Sequence, residues 1–474
     1  MGYTRSMRVK TDSDSLHTPR RRQVRPHGVQ RRLVVVSMDG LSETERDSLG
    51  GLPNFSAFLR RGTGTGTIGT LYPSLTYVVH ATMMTGRYPD GHGIDHNHPL
   101  QPGIPAERQR WYWYARELHC PTLFDLAKAA GLRTAAVLWP LTAGARIDWN
   151  FPEIAALPGE NQTLKVLRSG SPAWLVALQL RFGRYRRGSV QPALDDFVSR
   201  CAADTIRRKR PHLLMTHLIA LDDAKHRYGS GAPQTGAALE SLDACLGRIV
   251  AAIDEAGLAG ETDVVVLGDH GHIDTRALVR LNRLLVATGL ASAQAASGVG
   301  VPPFGRGSKA RAGLAGKDIP VWRAWFRCSG GSAYLHVRPG DTAAEIQVRE
   351  LLQRASQDAS LGIAAIHTGA GLAGLRTGSG ALCAVDAIPG FRFIEDTDGP
   401  LVEDAPEPGA FGADHGYPPG AAGYRSLFMA AGDGLRQGAD SGPFSMVDVA
   451  PTLAKLLGLK FEASDGSALD AILS

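Results

Sequence analysis

Seven side chains of this sequence have the types that bind metal ions and activate a hydroxyl group: Asp39, Thr76, Asp222, His226, Asp269, His270 and His415. Thr76 lies in the stretch Tyr72–Ile94, YPSLTYVVHATMMTGRYPDGHGI. A Pro-Ser turn precedes it. The run Tyr77 to Met84 has no Gly or Pro and stops at Thr85-Gly86. That pattern places Thr76 at a helix N-terminus, where backbone N–H groups and the helix dipole favour a phosphate. Taken alone, Thr76 reads first as an N-cap, and the rest of the chain reverses that. Asp222 and His226 are four apart and share a face if their turn is helical; as a lone pair they make a surface contact. Alone, Asp39 reads equally as a turn aspartate or a crevice-facing carboxylate, and Asp269-His270 and His415 have the alternatives of a loop pair and a buried histidine bonded to backbone. His272, two residues past His270, reads as a supporting partner or an exposed side chain. Together, carboxylates and imidazoles suit Zn²⁺ and related divalent ions. Two three-residue sets flanking a hydroxyl would make a two-metal centre, and a metal-bound threonine would become a competent nucleophile.

Bringing these residues together requires strands that end at one edge. Leu33–Met38 is a short β-branched apolar run, the mark of a buried parallel strand, and it delivers Asp39-Gly40. Pro211–Ala220 is a similar run leading to Asp222, and Thr262–Leu267 leads to Gly268-Asp269-His270. Carboxyl ends of parallel strands face the crevice where open α/β sheets bind ligands. Further strands are expected at 63–71, 134–139, 332–337 and 426–430. Helices are expected at 53–61, 121–130, 237–256, 343–355 and 446–457, with a partial lid or peripheral helices over 145–195. The alternation predicts a three-layer α/β/α sandwich with a mainly parallel central sheet over residues 32–474. The Gly- and Ala-rich stretch at about 290–405 reads as a smaller inserted cap.

Composition narrows the class. Apolar residues make up 43% and charged residues 20%, ordinary for a globular chain. The net charge of +5 is concentrated at the start: residues 1–32 hold nine basic and two acidic residues, leaving the rest at −2. Residues 1–31 read as a disordered basic arm. No nucleic-acid partner is expected from so neutral a body. Five widely spaced cysteines without a CxxC motif suggest a reducing compartment. No run of 18 apolar residues predicts a membrane span, and no apolar segment follows the N-terminal basic residues, so the expected location is cytoplasmic.

The ordered set VVVSMDG, PSLTYVVHATMMTGRYPDGHGI, LWPLTAGARIDWNFPE, DDAKHRYG, VLGDHGH and DHGY resembles the nucleotide pyrophosphatase/phosphodiesterase branch of the alkaline phosphatase superfamily. The likeness runs from about residue 33 to 470 and is weakest over 160–200 and 290–400. It implies an alkaline-phosphatase-like fold and two Zn²⁺ per chain, other divalent ions being possible. Asp222, His226 and His415 would hold one ion. Asp39, Asp269 and His270 would hold the other, with Thr76 as its nucleophilic ligand. The implied activity is cleavage of a phosphodiester or pyrophosphate bond in a small, nucleotide-like substrate through a phospho-threonine. Phosphonate or phosphate-monoester hydrolysis is the alternative chemistry, and an inactive metal-bound binding module the alternative class. Two positions depart from the family. Val79 replaces an Asn that helps bind phosphate, and Lys225 replaces a Gly before the histidine ligand. Tyr77, Val79 and Lys225 are the substrate-binding candidates.

Overall fold

The computed structural model describes residues 31–292 and 322–474. The expected basic arm, save Arg31, and residues 293–321 of the expected insertion lie outside the described residues. The large sheet has eight strands: β1 (Arg32–Met38), β2 (Gly66–Gly69), β3 (Thr134–Trp139), β4 (Trp149–Pro152), β5 (Leu213–Leu218), β6 (Thr262–Leu267), β7 (Ser426–Ala431) and β8 (Pro443–Ser445). Their order is β8-β2-β7-β6-β1-β5-β3-β4, and every strand but β7 runs the same way.

Strand alternation explains the layering. On β1, Leu33 and Val35 join one core, while Val34, Val36 and Met38 join the other. Both faces are therefore covered, which is why the strand reads as an unbroken apolar run. The first core packs against helices Thr76–Thr85 and Val449–Leu456. The second packs against Pro53–Arg61, Ala193–Lys209 and Pro233–Glu255. Strands at 134–139 and 262–267 form over the residues expected. The strand expected at 63–71 shrinks to β2. Edge strands β4 and β8 have no sequence signature, because four and three residues with a proline each are too short to show a period. The 145–195 region becomes β4 followed by helices Gln162–Ser169 and Pro172–Phe182, with the next helix starting at Ala193.

A smaller antiparallel sheet, Ile363–His367, Cys383–Ala387, Ser332–Val337 and Ala324–Cys328, has its own apolar core with helix Thr342–Ala355. A short pairing outside both main sheets matters most for the site. Ala413–Asp414 pairs antiparallel with Ile273–Asp274 and so draws His415 to the loop that follows β6.

Candidate active site

Three neighbouring central strands, β6, β1 and β5, end at the same edge. Asp39 follows β1, Asp269-His270 follow β6, and helix Ala220–Tyr228 begins just past β5. That helix puts Asp222 and His226 on one face, with Asp222 Oδ1 3.3 Å from His226 Nε2. Thr76 is the first residue of helix Thr76–Thr85, one position inside the N-cap Leu75. Its hydroxyl therefore caps nothing. Oγ1 lies 3.3 Å from His270 Nε2, which is 3.3 Å from Asp269 Oδ2 and 3.6 Å from Asp39 Oδ1. His415 stacks on His270 at 3.9 Å between ring centroids and meets His226 at 5.0 Å. All seven predicted residues converge.

The donor atoms fall into overlapping sets whose members lie within 4.8 Å of one another: Asp39, Asp269 and His270; Asp222, His270 and His415; Asp222, His226 and His272; His226, Asp414 and His415. These are candidate metal-binding clusters, and two observations test the fit. Asp39 Oδ1 and Asp269 Oδ2 are buried without a hydrogen-bond partner. Anionic oxygens withdrawn from water without compensation are costly, and a cation would satisfy both. Electrostatics agrees. Burial, then the Asp222 and Asp269 carboxylates, push the Asp39 carboxyl well above its usual range. Burial keeps His270 and His415 neutral, at about 3 each, the form that binds a metal. For His226 burial acts downward, but the Asp222 carboxylate overrides it and lifts the imidazole to about 10. The residues fit a divalent cation.

The remaining ring and carboxyl atoms are tied down. His226 Nδ1 donates to the Ala413 carbonyl at 3.0 Å and His415 Nδ1 to the Ser74 carbonyl at 3.2 Å, leaving each Nε2 for the centre. Asp269 Oδ1 accepts the Gly40 and His270 amides, both at 3.0 Å. Gly40 has φ +74, and a Cβ there would lie 2.8 Å from the His272 ring, so this turn needs glycine. His272 is buried, and Nε2 donates to Asp222 Oδ1 at 2.9 Å, which makes it a partner of a candidate ligand and not an exposed side chain.

Sequence reasoning missed the chain behind Asp39. His217, on β5, donates from Nε2 to Asp39 Oδ2 at 3.1 Å and from Nδ1 to Glu153 Oε2 at 2.8 Å. Burial opposes its charge, but the two carboxylates raise it well above the usual histidine range, so it is an imidazolium. Tyr77 OH donates to the other Glu153 oxygen at 3.0 Å. The signal lay in a histidine interrupting the apolar run of a buried strand. His80 does a parallel job: Nδ1 donates to the Thr76 carbonyl at 2.7 Å, and Nε2 accepts from Ser37 at 2.9 Å.

The three substrate-binding candidates need correction. Lys225 is fully buried; its ammonium pairs with Glu45 at 2.8 Å and donates to the Gly40 carbonyl at 2.9 Å. Breaking such a buried pair costs about 3–5 kcal/mol. Lys225 is thus a strut beneath the Asp39-Gly40 turn, neither solvated nor free for substrate. Val79 is fully buried in the first core. Tyr77 is 1% exposed, its ring edge-on to Trp111 and its hydroxyl on Glu153. The Tyr77 amide, one of the first-turn donors expected to meet phosphate, donates to Asn97 Oδ1 at 2.9 Å.

The family model described as type I phosphodiesterase / nucleotide pyrophosphatase matches residues 33–358. Human ectonucleotide pyrophosphatase/phosphodiesterase family member 1 is 26% identical over 253 residues, 50% of this chain and 23% of that protein. Venom phosphodiesterase 2 of Crotalus adamanteus is 24% identical over 255 residues, 50% of this chain and 26% of that one. The matches thus span about a quarter of these relatives' length. Among solved structures, murine ectonucleotide pyrophosphatase/phosphodiesterase 5 aligns with a TM-score of 0.62 at 16% identity, covering 93% of this chain and 100% of that one. An inactive threonine-to-alanine form of the same murine protein, in complex with AMP, aligns with a TM-score of 0.63 at 15% identity, covering 94% and 100%. These neighbours share the fold, an alkaline-phosphatase-like α/β sandwich.

Proposed function

We propose that this chain, which belongs to the type I phosphodiesterase / nucleotide pyrophosphatase family, hydrolyses phosphodiester or pyrophosphate bonds of nucleotide-like substrates with Thr76 as nucleophile. The observation that carries the reading is the Thr76 hydroxyl 3.3 Å from His270 Nε2, beside two buried carboxylates with unpartnered oxygens. Zinc ions held by Asp222, His226 and His415, and by Asp39, Asp269 and His270, would supply Lewis-acid stabilisation of phosphate charge and a lowered hydroxyl pKa. Thr76 releases its hydroxyl proton to solvent and Oγ1 attacks phosphorus in line; the new P–O bond forms as the bond to the leaving oxygen breaks, and that oxygen departs with the bonding pair and takes a proton from water where its basicity requires one. Water then cleaves the phospho-threonine from the opposite side, restoring the hydroxyl, so two inversions give retention. Burial favours neutral His270 and His415, while His217 holds Asp39 by its outer oxygen.

A diester or pyrophosphate is favoured over a monoester because Lys225, which directly precedes the candidate ligand His226, is committed to Glu45 and Gly40. That leaves it unable to balance a dianion's extra charge. A reducing, cytoplasmic location is supported by five unpaired cysteines, although the relatives carry the names of ecto- and venom enzymes. No helix among the described residues is long and apolar enough to cross a membrane.

The test is hydrolysis of bis-p-nitrophenyl phosphate against p-nitrophenyl phosphate, with Zn²⁺ and with chelator. The diester should be preferred and the chelator should abolish turnover. Thr76→Ala should abolish turnover while metal content stays near that of the wild type; full activity in that variant ends the proposal. Preference for the monoester, or for a phosphonate, would select the alternative chemistry.

A further inference from the structure

Helices Gln162–Ser169 and Pro172–Phe182, with the turn that follows them, carry apolar side chains left exposed among the described residues. Among the described residues seven large hydrophobic side chains are exposed, and four of them, Leu164, Val176, Leu180 and Val190, fall in this one stretch. Leu180 is 83% exposed, the most of any. Scattered exposed hydrophobics are ordinary, whereas neighbouring ones mark an interaction surface, and Val176 and Leu180 are neighbours on one cleft. Helix Pro172–Phe182 buries Trp174, Leu175 and Leu178 in the second core and turns Val176 and Leu180, four residues apart, outward. Both border a cleft of about 270 Å³ whose wall includes Val166, Leu167, Phe197 and Arg186.

The same stretch is basic. Residues 160–192 contain Lys165, Arg168, Arg181, Arg184, Arg186 and Arg187 against the single acid Glu160. Lys165 pairs with Glu160 and Arg181 with Asp204. Arg168, Arg184, Arg186 and Arg187 meet no carboxylate among the described residues; Arg184 leans on Tyr185 and Arg186 on Phe197. The chain's own undescribed segments do not complement this charge. Residues 1–30 hold seven basic and two acidic residues, and residues 293–321 hold four and one.

We propose that this face docks on an anionic lipid surface. Exposed aliphatic side chains flanked by unpaired guanidinium groups are the chemistry that enters the boundary between headgroup and acyl chain. The helix has 11 residues, so it would lie in the interface and not cross it. The inference does not depend on the hydrolase reading.

The test sediments the full chain with vesicles of phosphatidylglycerol and phosphatidylcholine, and with phosphatidylcholine alone. Binding is expected to the anionic vesicles and should fall in about 0.5 M salt, which screens surface charge. Val176→Asp with Leu180→Asp should weaken it roughly tenfold or more. Arg184→Glu with Arg187→Glu should remove the preference for phosphatidylglycerol. Both pairs sit at exposed positions and should leave melting temperature and bis-p-nitrophenyl phosphate hydrolysis unchanged. The proposal is overturned by failure to bind anionic vesicles, or by binding that survives the aspartate pair, which would move the contact to the basic arm. A self-associated chain that the aspartate pair makes monomeric would equally overturn it, by assigning the face to a second copy.

Discussion

The two halves of the candidate centre are built differently. Asp39, Asp269 and His270 leave the ends of adjacent strands, are all fully buried, and are fixed by partners from the same sheet: His217, the Gly40 amide and Thr70, whose hydroxyl donates to the Asp269 carbonyl at 2.9 Å. Asp222, His226 and His415 come from a helix and from a loop nearly two hundred residues further on, and His226 keeps 29% of its side chain exposed. Their loop is clasped from outside. Arg392 pairs with Asp414, the Gly331 amide donates to the His415 carbonyl, and Gly416 packs so closely on the Ser329 carbonyl that a Cβ would come within 1.6 Å. Burial opposes the Asp414 charge, but Arg392 holds its carboxyl at about 2. The sheet itself positions the first half; the outer half depends on the turn at 329–331 and on Arg392 holding one loop in place.

That contrast can be broken most decisively at Asp269. Asp269→Ala should lower turnover by roughly a thousandfold, and added Zn²⁺ should not restore it, because the ligand set collapses inside the core. His226→Ala should cost less, about ten- to a hundredfold, with much of the loss recovered in millimolar Zn²⁺. Equal rescue of both variants, followed by diester hydrolysis across a zinc titration, would erase the distinction between the halves. His217→Gln should reduce turnover or zinc affinity about tenfold, since it removes the support of Asp39 and not a ligand. Metal analysis separates the two effects.

The smallest expected effect is on stability without metal. In chelated protein Asp39→Asn should raise the melting temperature by about 2–4 °C, because it removes one of three mutually repelling buried carboxyls. The size of the effect depends on pH. An unfolded aspartate ionises above about 4, but folded Asp39 resists until well above that. The wild type's penalty therefore grows as pH rises from about 4 through the folded value, and the variant's advantage should grow with it. A melting-temperature difference that shrinks with rising pH would show that Asp39 is not repelled.

Much of the architecture was readable from short apolar runs. Strands doubly covered by helices lose the polar alternation that would blur them, so β1, β3, β5 and β6 stood out. β4 and β8 did not, being short edges. Within the site, Asp39 and Asp269 could be placed because a strand's end fixes its next residue. His217 could not be distinguished from a core histidine, since the sequence does not say which strand lies beside β1. Lys225 was misjudged for a related reason: a lysine next to a ligand suggests charge at the site, and only the position of Glu45 shows its charge turned away.

The sequence by itself determined the chemical inventory and the edge to which it is delivered, because hydrophobic periodicity and turn residues are local properties. Tertiary structure alone decided that β6, β1 and β5 are neighbours, that the 413–414 pairing carries His415 across to His270, and that Lys225 faces inward. Those outcomes rest on contacts between residues far apart in the chain. Their energies depend on packing and on burial of charge in a shared low-dielectric interior, neither of which one segment encodes.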